Sequence, residues 1–234
     1  KGYQIYFGIG QFKPFFGMQQ KQSSAQQLLV DRSLANEFFK TDRQIGVWVE
    51  GRKELNNGDG EIFNALFYEV AVTNGIDSTN KSIDDDEFDQ IPAFVAHLGA
   101  DVMGNMGKYA LSGGDWKRID KPGLTIGVSG VTDSNNGTGG VDPDFVEYDL
   151  YQFAVGMVYK YLGFNVNAEY FGRWLDFKSE DVNAAGANDG EALYSHGAYV
   201  EGGYMVTDKL QVVGRGSAVW NDKGPATGRA HEAG

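Results

Sequence analysis

Cysteine is absent from the 234 residues, which excludes a disulfide framework, a thiolate metal site and a cysteine nucleophile. Histidine is scarce, and His97, His196 and His231 are scattered and unpaired, so no His-based metal centre is expected. A basic surplus is also missing. The formal charge is −12, from 20 basic and 32 acidic residues, the wrong sign for neutralising phosphates, so no nucleic-acid partner is expected. No stretch approaches 18 consecutive apolar residues, which excludes a transmembrane helix. What the chain has in excess is glycine, 33 residues or about twice the usual share of roughly 7%, and aromatic side chains at 13%.

The organisation appears as period-2 alternation, the mark of strands with two unlike faces. One apolar register holds Tyr3, Ile5, Phe7 and Ile9; Ile45, Val47 and Val49; then Leu66, Tyr68, Val70 and Val72. It continues through Phe94, Ala96, Leu98, Ala100 and Val102, and through Leu124, Ile126 and Val128. The second half is clearer, with runs from Tyr151 to Tyr161, Phe164 to Trp174, Ala198 to Val206 and Leu210 to Trp220. None of these apolar-register residues is charged, although 22% of the chain is. The opposite register carries Glu50, Glu69, Asp101, Lys160, Glu169, Arg173, Glu201 and Arg215. One face is expected to meet something apolar and the other to meet water.

A soluble β-sandwich gives the same alternation. Three features favour an antiparallel transmembrane β-barrel. Several strands are long enough to cross a bilayer when tilted, which takes about 9–11 residues. Aromatics gather near strand ends, as at the two interfaces of a membrane. Long polar connections (13–43, 75–91, 133–148, 178–192) alternate with tight turns such as Leu162-Gly163 and Thr207-Asp208-Lys209, as in outer-membrane barrels. The connection 103–123 falls on the short-turn side, and nothing in the sequence accounts for its length.

Other motifs carry less. Gly8-Ile9-Gly10 lies within a strand and opens no helix, so it is no dinucleotide fingerprint. Asp84-Asp85-Asp86-Glu87 lacks the spaced ligands and turn glycine of a calcium loop and reads as a solvated tip. Asn80-Lys81-Ser82 and Asn136-Gly137-Thr138 matter as glycosylation acceptors only in a eukaryotic secretory context, which nothing supports. Carboxylates such as Glu169 with Glu201, or Glu69 with Asp101, are ordinary on a water-facing wall. No catalytic set, metal site or cofactor motif is recognisable, and an enzyme is not expected.

Three blocks in the first fifty residues carry a family resemblance: Gly10-Gln11-Phe12-Lys13-Pro14-Phe15, Asp31-Arg32-Ser33-Leu34-Ala35-Asn36 and Arg43-Gln44-Ile45-Gly46-Val47. They resemble the phosphate-selective porin O and P family, as does the later Gly197-Ala198-Tyr199-Val200-Glu201-Gly202-Gly203-Tyr204. The resemblance implies a 16-stranded barrel of the Gram-negative outer membrane, assembled as a homotrimer, with a long loop folded inward to narrow the pore. Two departures stand out. About nine strands are present, an odd count that cannot close, so the expectation is one barrel domain over 1–234, incomplete at both ends. The wall register holds Lys160, Arg173 and Arg215 against five acids, whereas the family's anion preference goes with a dense row of cations.

The expected function is passive diffusion of small hydrophilic solutes through a lipid-embedded porin. Segment 13–43 is the expected selectivity element, because Lys13, Lys21, Arg32, Lys40 and Arg43 outnumber Asp31, Glu37 and Asp42 there. Lys13, Lys21, Arg32 and Arg43 are the expected anion-binding constriction, with the eight charged wall residues lining the pore. The equal alternative is that the loop cations only pair with the loop's own acids, as Asp31 beside Arg32 suggests, and pin it to the wall. The alternatives are a general or weakly cation-preferring pore and, in another class, a secreted β-sandwich binding module.

Overall fold

Each alternating run becomes a strand in the computed structural model, which describes residues 2–55, 63–75, 92–135, 148–177 and 192–222. The strands are β1 (Tyr3–Phe12), β2 (Gln44–Glu54), β3 (Ala65–Thr73), β4 (Ala93–Met103), β5 (Gly123–Asn135), β6 (Tyr148–Tyr161), β7 (Phe164–Phe177), β8 (Ala192–Met205) and β9 (Gln211–Asp222). They pair antiparallel in chain order into one nine-stranded sheet. Among the described residues the sheet is open, with β1 and β9 as its edges. The acidic tip at 84–87 and both Asn-x-Ser/Thr sequons lie outside the described residues.

Most strands run longer than their hydropathy suggests. β8 begins at Ala192 rather than Ala198, because Tyr194 and His196 continue the same even-numbered register. β6 and β7 are joined by Leu162-Gly163, both with positive φ (49° and 87°). That is the two-residue turn whose twist matches the flanking strands. Leucine is a costly occupant of the left-handed region, and its N–H is held by Ile119 O at 2.9 Å.

The two faces of the sheet differ completely. The apolar register is largely bare: Phe7 and Ile9 are 79% and 82% exposed, and Val70, Phe94, Leu98, Val128, Val155 and Val200 are exposed as well. On the other face Glu69, Asp101, Thr125, Lys160, Glu169, Phe171, Tyr199 and Glu201 are buried. Two segments cover that face. The β1–β2 connection, 13–43, contains helices α1 (Met18–Lys21) and α2 (Leu34–Phe39) and a 3-10 turn at Ser24–Gln26. The β4–β5 connection, 104–122, contains a 3-10 turn at Gly107–Leu111. Because successive antiparallel connections alternate ends, these two enter from opposite ends of the sheet. They meet where Gly113 N–H donates to Gln26 O at 2.6 Å. The length of 104–122 is thereby explained: it is a second inserted segment.

The core lies between these segments and the sheet. Phe12, Phe16 and Phe39 pack on Ala154, Phe171 and Tyr199, and Phe39 stacks on Phe171 at 5.4 Å. Gly197 makes room for Phe39, since a Cβ there would lie 2.8 Å from its ring. A second cluster joins Phe15 and Met18 to Met106, Ala110 and Val158. Each fully buried phenylalanine contributes about 1.5–3 kcal/mol, so both segments are docked by apolar burial as well as by polar bonds.

The bare face carries two aromatic rows. Tyr151, Trp174 and Tyr194 are direct register partners across β6, β7 and β8, and Tyr161, Phe164 and Tyr204 form a second row across the same strands. On every one of the three strands the two aromatics are ten positions apart. The first row extends through His196, whose ring lies 5.1 Å from that of Trp220.

Candidate functional site

The buried charges of the covered face hold the inserted segments in place. Glu169 accepts the N–H of Met18, that of Gln19 at 3.0 Å and the hydroxyl of Tyr199 at 2.7 Å. Glu69 accepts Phe15 N–H at 2.7 Å and pairs with Lys21 at 2.5 Å. Glu201 accepts Gln19 Nε2 at 3.1 Å and Asn167 Nδ2 at 2.9 Å, with Arg215 at 3.8 Å. Asp101 accepts Arg52 Nη2 at 2.6 Å, Thr125 Oγ1 at 2.7 Å and the N–H of Gly107 at 3.0 Å. A carboxylate taking several backbone N–H groups satisfies donors that would otherwise be buried without partners.

This corrects the expectation for the wall. Glu69, Asp101, Lys160, Glu169 and Glu201 occupy the expected register but are buried beneath protein instead of facing water. Glu50 keeps partial exposure. Arg173 donates to Gln152 Oε1 and Phe38 O, and Arg215 to Asp31 O at 2.6 Å. Among the described residues, Glu69, Asp101 and Glu201 each have a cation within 4 Å, and Glu169 is held by neutral donors alone.

The four constriction candidates divide into two pairs. Arg32 donates from Nε to Gln19 O at 3.4 Å and from Nη2 to Gln22 O at 3.2 Å, tying the segment to itself. Beside it Ser33 caps α2, its Oγ accepting Asn36 N–H at 3.1 Å and donating to Gln19 Oε1 at 2.7 Å. Lys21 is engaged with Glu69 and lies 5.3 Å from the centre of the Phe15 ring. Lys13 and Arg43 are different. Among the described residues neither ammonium nor guanidinium has a hydrogen-bond or ion-pair partner, the Arg43 main chain alone bonding to Asp42. Partial burial, then the nearby Arg32 and Arg43, lower the Lys13 ammonium below its ordinary pKa. Asp42 and Glu37 act on Lys13 in the opposite direction and more weakly, so cations dominate around its ammonium.

An open cavity of about 440 Å³ remains beside the inserted segments, lined by Tyr6, Lys21, Glu50, Arg52, Phe67 and Lys108 among others. It lies between β1–β3 and the two inserted segments, whose Phe15, Met18, Ala110 and Leu111 also line it. Arg52 and Lys108 are functional candidates that sequence reasoning missed. The signal for Arg52 was available, since it continues the Gln44-to-Glu50 register beyond the expected end of β2. For Lys108 there was none, because its position depends on how 104–122 folds. No cluster of His, Asp or Glu that could hold a metal occurs among the described residues. No protein-family model matches the chain, and neither does any curated protein or solved structure.

Proposed function

We propose that the chain forms part of the wall of an outer-membrane porin, with its bare face in lipid and its covered face toward the pore. The inverted sheet carries this reading: large apolar side chains are exposed while carboxylates and a lysine are buried. A contiguous exposed apolar surface of this extent marks contact with another apolar phase. The aromatic rows give its thickness. Ten positions span roughly 33 Å at about 3.3 Å per residue, or about 25 Å along the axis of a barrel whose strands tilt about 40°. That matches the apolar band of about 25 Å that aromatic girdles flank in an outer-membrane barrel. A β-sandwich would place a second sheet on the bare face, and among the described residues nothing packs there. Further strands on the β1 and β9 edges would close the barrel, and the resemblance to the porin O and P family adds a trimer.

Within this reading the pore prefers anions. The wall acids are occupied by the inserted segments, while Lys13 and Arg43 remain unpaired beside Arg32. Selectivity follows the charge exposed at the narrowest point. A cation-preferring pore would need the wall carboxylates in water, and only Glu50 among the five keeps exposure. The test is reconstitution of the protein in planar bilayers under a salt gradient. Stepwise conductance with a reversal potential on the anion side is expected. A chain that stays monodisperse without detergent and conducts nothing would rule out the porin.

A further inference from the structure

Lys160, near the end of β6, has none of its surface exposed and makes no ion pair among the described residues. Its ammonium is enclosed by oxygen atoms of one short stretch of the 104–122 segment. It donates to Tyr109 O at 2.7 Å, Ser112 O at 2.7 Å, Gly114 O at 3.0 Å and Ser112 Oγ at 2.5 Å. The Tyr109 ring lies 4.1 Å from the nitrogen. The backbone carbonyls converge at this point because the segment leaves its 3-10 turn here and wraps around the cation. Neighbouring bonds keep the wrap in register: Asn165 Nδ2 donates to Gly113 O at 2.9 Å, and Asp115 accepts the N–H of Gly163 at 2.7 Å.

We propose that Lys160 is the latch that keeps 104–122 folded across the pore, and thereby sets how much of the cross-section is open. The role as a pore element rests on the porin reading; the latch itself does not. Ser112 donates its N–H to Tyr109 O and its hydroxyl to Tyr109 O and Gly114 O. If the ammonium is removed, however, Ser112 O loses its donor and three carbonyl dipoles converge on an empty point. Buried acceptors that lose a charged donor are unfavourable. Without the ammonium the segment therefore gains by moving out to water. Its departure would also release Gln26, whose carbonyl holds Gly113, and would widen the passage from the β1–β3 cavity toward β6. Lys160 acts by positioning the segment and touches no solute.

The geometry allows a rescue experiment. Lys160→Ala keeps Cβ and removes three carbons and the ammonium, a void with the shape of n-propylammonium. Trypsin reads the segment directly, since Lys108, Lys117 and Arg118 lie within it and none is followed by proline. In the detergent-solubilised whole protein, cleavage at these sites is expected to rise at least about tenfold in Lys160→Ala, the size of effect that unpaired buried acceptors produce. It should fall back on adding n-propylammonium but not tetramethylammonium, which has the charge and no N–H. Lys160→Met fills the space without a donor, so it should open the segment and resist rescue. In bilayers, Lys160→Ala should show a larger unit conductance that n-propylammonium reduces.

The outcomes separate. Wild-type protection from trypsin in both variants would overturn the latch, whatever the conductance. A rescuable rise in cleavage in a protein that never conducts would uphold the latch and overturn the pore. If Lys160→Ala fails to assemble, n-propylammonium present during refolding must restore assembly, and failure to do so also overturns the proposal.

Discussion

The two faces of the sheet meet opposite surroundings with the same backbone. On the bare face, Phe7, Ile9, Val155 and Val200 stand exposed, touched only by their own sheet. On the covered face, Glu69, Glu169 and Glu201 are enclosed, each satisfied by groups from segment 13–43. In a water-soluble sheet, burial and hydropathy run together. Here they run in opposition, so burial by protein and exposure to water are not the same thing on either face. The difference teaches that the charges organise the interior of the molecule and the apolar side chains face its medium. A carboxylate on the covered face is therefore first an anchor for the segment above it.

Four sets of substitutions break or sharpen that contrast, in decreasing order of effect. Val155→Arg puts a charge in the middle of the bare face, where a lipid-facing arginine costs about 2–4 kcal/mol. Heat-resistant barrel should be lost from the outer-membrane fraction. Glu50→Arg, on the other face and partly open, should assemble. Equal assembly of the two would erase the distinction between the faces.

Glu169→Ala leaves the N–H groups of Met18 and Gln19 and the Tyr199 hydroxyl without their acceptor, a loss of about 3 kcal/mol. The melting temperature should drop and trypsin should reach Lys21 and Arg32, whereas Glu169→Gln keeps an acceptor oxygen and should lose less. If the segment stays protected in Glu169→Ala, the wall acids are not its anchors.

Lys13→Ala combined with Arg43→Ala should leave folding intact and move the reversal potential toward cations. Arg32→Ala should instead loosen the segment, because its guanidinium is spent on the carbonyls of Gln19 and Gln22. A clean selectivity shift from Arg32→Ala with unchanged protease resistance would reverse these roles. The smallest effect belongs to Lys40→Ala. Its pairing with Glu37 at 2.8 Å is exposed, and denaturant midpoints should change by less than about 0.5 kcal/mol equivalent.

The strands and their registers were legible in the sequence because two unlike faces enforce a period of two on every strand. The same rule, followed further, would have extended β8 back through His196 and Tyr194 and carried β2 on to Arg52. What covers the inner face was not legible. Segment 104–122 has no period, and its place is set by long-range bonds from Lys160, Asn165 and Gly163 that no local pattern announces. The partner of Arg32 was hidden for a related reason. An adjacent aspartate is visible in a sequence, but the bonds go to backbone carbonyls, which every residue has. Ser33 and Gln19, which knit the Asp31-to-Asn36 block to α1, show that the most recognisable motif of the chain is a structural fastening.

What touches the bare face separates a membrane wall from a sheet packed in any other way. Trp174 and Trp220 lie on it, while Trp116 belongs to the 104–122 segment. Single-tryptophan variants of the protein, reconstituted in vesicles of brominated-chain lipid, read that contact by fluorescence quenching. The bromines should strongly quench Trp174 and Trp220 and spare Trp116. Equal emission from Trp174 in brominated and ordinary lipid would mean that the apolar face meets something other than a membrane.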